Sequence, residues 1–132
     1  MKVLFVCSGN AYRSPLAEAL LKKLRPDLVV DSAGTSVESM ISGEAKRYLT
    51  KLNALQYLKK TPESLDAKSL MDYDLIIAME RVHENIILEK CPECREKIVV
   101  WSIEDVGLKP LAYIEKIDKQ IKQKVTTLAK VL

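Results

Sequence analysis

Apolar runs and helical stripes alternate along the chain. Val3-Leu4-Phe5-Val6 is an unbroken apolar run ending at Cys7, the pattern of a strand buried on both faces of a parallel sheet. Ser8-Gly9-Asn10 interrupts it, and a helix is predicted from near Ser14, with Pro15 suited to its first position and Leu16, Leu20, Leu21 and Leu24 on one stripe. Leu28-Val29-Val30 reads as a second strand closed by Asp31-Ser32-Ala33-Gly34. A polar loop then leads to a helical pattern through Ala45, Tyr48, Leu49 and Leu52. Between Thr61 and Leu70 the pattern is weaker, and Pro62 suggests a short helix. The third strand is Leu75-Ile76-Ile77, followed by a helix carrying Val82, Ile86 and Ile87 that stops by Pro92. Ile98 to Trp101 is the fourth strand. Ile114, Ile117, Ile121, Val125 and Leu128, spaced by three and four, form the clearest amphipathic helix. Strands alternating with helices predict an α/β fold, a four-stranded parallel sheet flanked by helices, whose ligands bind beyond the carboxyl ends of the strands.

Composition narrows the function more than the fold. The 132 residues are 48% hydrophobic and 30% charged, ordinary globular usage, and are expected to form a single domain over 1–132. A chain of this length can bury a proper core without disulfides or a structural metal. Its apolar runs are too short to span a bilayer, and the first six residues lack the features of a signal peptide, so no membrane association and a cytoplasmic location are expected. The formal charge is +3, with basic residues spread along the chain and little aromatic material, which argues against nucleic acid as a partner.

The candidate chemistry lies in Cys7-Ser8-Gly9-Asn10-Ala11-Tyr12-Arg13-Ser14, at the carboxyl end of the first strand. A loop running into a helix N-terminus turns several N–H groups into one concavity, backed by the positive end of the helix dipole. A tetrahedral anion such as phosphate fits there, and Arg13 can grip two of its oxygens. The same field stabilises a thiolate, which makes Cys7 a nucleophile, and Ser14 can donate a hydrogen bond to it. A thiolate facing a bound phosphorus atom implies phosphoryl transfer through phosphocysteine. Cys-x5-Arg alone is a weak motif, and a strand-ending Cys is ordinarily core. The buried strand before it and the Ser-Pro after Arg13 lift it above chance. The G-x4-G-K-[ST] pattern of nucleotide-triphosphate loops is absent.

The stretch Val6 to Glu18 resembles the signature of the low-molecular-weight protein tyrosine phosphatase family, which also contains thioredoxin-linked arsenate reductases. Asp31-Ser32-Ala33-Gly34-Thr35, Asp74 to Glu80 and the Trp101…Asp105 segment extend the resemblance. It implies a metal-independent, cofactor-free phosphomonoesterase, a protein-tyrosine phosphatase acting on phosphotyrosine in proteins or peptides. Cys7 is then the nucleophile, Arg13 the phosphate clamp, and Asn10 and Ser14 organisers of a phosphate-binding loop that runs from Ser8 to Ser14. A monomer or weak dimer is expected.

The resemblance also implies an Asp general acid after the fourth strand. Glu104 and Asp105 are the candidates, and Asp105 fits by its spacing from Trp101; Val106 stands where the family has Pro, and the aromatic pair that often follows is missing. His83, the sole histidine, reads as a solvated helix residue, and Glu80 as support for the site. Ser36 to Gly43 and the segment after Asp105 are expected to wall the pocket. Tyr12 occupies the position of the family's second, protective cysteine. Cys91-Pro92-Glu93-Cys94 is a possible redox pair, with too few companions for a zinc site. It sustains an alternative, arsenate reduction by Cys7 with Cys91 and Cys94, against which stands its distance from the third strand. A cysteine phosphocarrier ranks lower because its loop does not normally hold an arginine.

Overall fold

The computed structural model describes all 132 residues. Four strands, β1 (Lys2–Cys7), β2 (Val29–Gly34), β3 (Leu75–Ala78) and β4 (Ile98–Val100), form one parallel sheet in the order β2-β1-β3-β4. The helices are α1 (Arg13–Leu24), α2 (Gly43–Lys51), α3 (Arg81–Lys90) and α4 (Leu111–Val131). The chain leaves β1 for β2 on one side and later returns to β3 on the other. The carboxyl end of β1 is therefore the point where strand order reverses, and a crevice opens there.

Alternation along the strands divides the core in two. Val3, Phe5, Cys7 and Ile77 face α1, α2 and α4, with Phe5 packed 5.5 Å from the Trp101 ring. Leu4, Val6, Ile76 and Ala78 face the other way, toward Ile87, Tyr73 and the pair Cys91 and Cys94. No helix is long and apolar enough to cross a membrane.

Local differences from the sequence reading have physical reasons. Helix α1 starts at Arg13, so Pro15 sits third; its missing N–H costs nothing in a first turn. Strand β2 begins at Val29 and runs on through Asp31-Ser32-Ala33-Gly34, which pair with Leu4 to Cys7. Pro62 begins no helix. The chain there passes beneath the first loop, where Gly34 N–H donates to Glu63 O at 2.9 Å. Short 3₁₀ turns follow at Leu65–Ala67 and Leu70–Asp72. Strand β4 ends at Val100, although Trp101 N–H still reaches Ala78 O at 2.9 Å.

Candidate active site

The loop between β1 and α1 is turned inside out by its neighbour. Thr35, Ser36, Glu38 and Ser42 donate their N–H groups to the carbonyls of Cys7, Ser8, Gly9 and Ala11 at 2.8–3.0 Å. With those carbonyls taken up, the N–H groups of Ser8 to Tyr12 make no backbone bond, and Ser8, Gly9, Ala11 and Tyr12 border a cleft. Asn10, rather than Gly9, takes the left-handed conformation (φ 52°), which Asn tolerates better than most residues. Gly34 permits the close approach of β2, since a Cβ there would lie 2.5 Å from Ser8 O.

Beneath the loop, every polar side chain has a partner of matching kind. The buried Asn10 amide donates through Nδ2 to Ser14 Oγ at 2.8 Å and to Ser32 Oγ at 2.9 Å. Ser32 passes its own hydrogen to Glu18 Oε1 at 2.5 Å. Ser14 Oγ already accepts from Asn10, so its hydrogen is free for Cys7 Sγ, 2.9 Å away. Asn10 Oδ1 accepts from Lys59 Nζ at 2.9 Å and Glu63 N–H at 2.8 Å.

Arg13 is buried, with one terminal nitrogen held by Glu80 Oε1 at 2.5 Å and Ile103 O at 2.7 Å. Its Nε and second terminal nitrogen donate to nothing in the protein, which leaves one edge of the fork for an anion. His83, read from sequence as solvated, is instead fully buried. Its Nδ1 accepts Glu80 N–H at 3.0 Å, so the hydrogen sits on Nε2 and is shared with Ser8 Oγ at 2.9 Å. Burial, with the Arg13 charge nearby, pushes its pKa down to about 4. The signal that could have found it is Glu-x-x-His at a helix start, where Glu80 and His83 cap α3 reciprocally.

Cys7, Arg13, Ser36, Glu38, Ser42 and Asp105 line one cleft of about 460 Å³. Asp105 is exposed, and its Oδ1 accepts only Gly107 N–H, at 3.1 Å. Glu104 lines a different hollow, with Tyr113 and Lys116, which separates the two acid candidates. Gly9, Ala11 and Tyr12 border the cleft as well. The Tyr12 hydroxyl, however, turns inward to Asp118 Oδ1 at 2.5 Å, so this residue offers an anion its N–H and no hydroxyl. Burial raises the Asp118 carboxyl to about 7, and its Oδ2 has no hydrogen-bond partner. Cys91 and Cys94 are joined in a disulfide on the sheet face opposite Cys7, which is free.

Residues 2–106 match the sequence profile of a family described as low molecular weight phosphotyrosine protein phosphatase. The chain belongs to that family. It is 34% identical over 101 residues to the low molecular weight protein-tyrosine-phosphatase Wzb of Salmonella typhi, covering 76% of this chain and 68% of that one. Its fold matches the crystal structure of the Erwinia amylovora tyrosine phosphatase AmsI with a TM-score of 0.89 at 26% identity, over 99% and 92% of the two chains. It also matches the YwlE arginine phosphatase of Geobacillus stearothermophilus with a TM-score of 0.84 at 25% identity, over 98% and 90%.

Within this phosphatase family chain, sequence reasoning missed the underside of the loop. Glu18 entered only as the end of the Val6–Glu18 match, and Lys59 and Glu63 come from one irregular segment that no spacing rule links to Cys7. Ser32 was visible only as part of the Asp31–Thr35 match. Asp118 lies beyond the residues that match the family, and a lone Asp on an amphipathic stripe reads as solvated.

Proposed function

We propose that the protein hydrolyses phosphotyrosine in proteins or peptides by way of phosphocysteine, with no metal or organic cofactor. The observation that carries this reading is the 2.9 Å contact between Ser14 Oγ and Cys7 Sγ, in which a Cys7 thiolate can only accept the Ser14 hydrogen while Ser14 Oγ accepts from Asn10. It sets a hydroxyl against a sulfur that lines the same cleft as Ser8, Gly9, Ala11 and Tyr12, whose N–H groups make no backbone bond. Cys7 Sγ attacks phosphorus in line while the ester P–O bond breaks, and Asp105 gives its proton to the leaving oxygen. Water then attacks phosphorus, Asp105 takes a proton from it, and the S–P bond breaks to return the thiolate to Ser14. The loop N–H groups and the free edge of Arg13 stabilise the charge that builds on the phosphoryl oxygens.

Two features of the cleft favour a second substrate class. Its rim carries the carboxylates Glu38 and Asp105, and its sole aromatic side chain, Tyr12, has its hydroxyl tied to Asp118. Such a rim suits a cationic group at least as well as a phenol ring, so phosphoarginine is the alternative substrate. Arsenate reduction is disfavoured, since Cys91 and Cys94 pack across the sheet from Cys7. The experiment is steady-state hydrolysis of p-nitrophenyl phosphate, a phosphotyrosyl peptide and a phosphoarginyl peptide in EDTA, with acid quenching to trap protein-bound phosphate. Hydrolysis of the phosphotyrosyl peptide with label on Cys7 is expected. Preference for the phosphoarginyl peptide selects the second reading, and no hydrolysis of any ester overturns the first.

A further inference from the structure

Lys59 is an unusual residue to find beneath an anion-binding loop. Its side chain is only 7% exposed, and it comes from a segment with no helix or strand of its own. The ammonium donates to Asn10 Oδ1 and to Ser32 O, each at 2.9 Å, and pairs with Glu63 Oε2 at 2.7 Å. Glu18 Oε1 lies further off, at 3.9 Å. A lysine kept only for its ion pair with Glu63, itself 44% exposed, could stay in water and form the same pair without desolvation. Burying it under Asn10 calls for another reason.

We infer that Lys59 is a positioning residue for Cys7 which acts through the side chains of Asn10 and Ser14. The Asn10 amide has two ends. A cation on its oxygen draws electron density away from Nδ2, and the Nδ2 hydrogens become better donors to Ser14 and Ser32. Ser14, held more firmly as an acceptor, keeps its own hydrogen on Cys7 Sγ. Lys59 also fixes the left-handed Asn10 from below, and with it the direction of the loop N–H groups around the anion. This role rests on the phosphoryl-transfer reading above, but its first consequence, a more reactive thiolate, is measured without any substrate.

The test follows iodoacetamide alkylation of Cys7 against pH, read on the Cys7 peptide by mass spectrometry. Lys59→Met removes the charge and keeps the stem, and Lys59→Arg keeps the charge. Glu63→Gln leaves Lys59 in place and removes its nearest counter-charge. In Lys59→Met the midpoint of the profile moves up by about half to one pH unit. Lys59→Arg returns most of the shift, and Glu63→Gln moves the midpoint the opposite way by a smaller amount. At a pH below the midpoint, kcat for p-nitrophenyl phosphate falls roughly three- to tenfold in Lys59→Met with KM held within about twofold. A purely structural strut predicts no opposed shifts. Superimposed profiles, or shifts of one sign in both Lys59→Met and Glu63→Gln, overturn the inference. If Lys59→Met does not fold, Glu63→Gln decides alone. A wild type that hydrolyses nothing while the profiles still shift would overturn the phosphatase reading and leave the coupling standing.

Discussion

In the loop after β1 and the first turn of α1, Asn10, Arg13 and Ser14 are buried, and each is held by other residues of the protein. In the loop after β4, Asp105 is exposed and has one bond, to Gly107 two positions on. The difference follows the two tasks. Donors aimed at developing charge are effective only when they need not reorganise, so the anion seat is anchored by Ser32, Lys59, Glu63, Glu80 and His83. A proton donor must meet a leaving group and then water, which requires that it stay within reach of solvent. On the proposed mechanism, the held loop serves binding and the open loop serves proton exchange.

Removing the sulfur tests the seat most severely. Cys7→Ser is expected to lower turnover by at least about 10⁴-fold, as removing a nucleophile does elsewhere. Inorganic phosphate should still bind, because the loop N–H groups and Arg13 remain; isothermal titration checks this. Loss of phosphate binding together with turnover would mean that Cys7 shapes the seat rather than acting within it.

The open loop has a smaller, selective effect. Asp105→Asn should slow phenyl phosphate by about 10²-fold and p-nitrophenyl phosphate by far less, since general acid catalysis matters most for poor leaving groups. Equal losses on both esters would remove Asp105 from the proton-transfer step and turn attention to Glu104.

His83 sharpens the comparison through stability. A free histidine takes its proton near pH 6.5, whereas the folded chain holds His83 to about 4. Between those values the unfolded chain binds a proton that the folded chain refuses. The stability contributed is therefore full above about pH 6.5 and drains as the pH falls toward 4. By about pH 4.5 the loss is roughly 2–3 kcal/mol. Urea unfolding of wild type and His83→Gln at about pH 7 and pH 4.5 isolates it, with the wild type falling further. Parallel losses in both proteins would mean that His83 titrates normally and does not anchor Ser8.

The same contrast explains what was legible in the sequence. The candidate seat announces itself at Cys7, Arg13 and Ser14, because these are tied by spacing to a strand end and a helix start. Its anchors do not, because Lys59, Glu63 and Glu80 lie 49 to 67 positions from their partners and meet only once the sheet has formed. His83 misled for a related reason. Polar residues on helices are usually solvated, and only the reciprocal cap with Glu80 marks this one as turned inward. The strands were readable since burial on both faces leaves unbroken apolar runs. The crossing at Thr61–Glu63 was not, because its backbone bonds serve the loop above it instead of a local repeat.

The smallest expected effect on the site concerns the remaining cysteines. Cys91 and Cys94 belong to the core on the side of Leu4 and Val6, whereas Cys7 belongs to the side of Phe5 and Val3. The disulfide reaches the seat only indirectly, through α3, which has Glu80 and His83 at its start and Cys91 at its end, and through core packing with Val6 and Ala78. Closing so short a loop restrains the unfolded chain little, so the Cys91→Ser/Cys94→Ser double variant should lose about 2 kcal/mol of stability. Its melting temperature should then fall by several degrees while p-nitrophenyl phosphate turnover stays within about twofold. A tenfold loss of turnover in the folded variant would show that α3 transmits strain from one face of the sheet to Arg13 on the other. The separation of a binding face from a structural one would then be wrong, and reduction of the disulfide would control the enzyme.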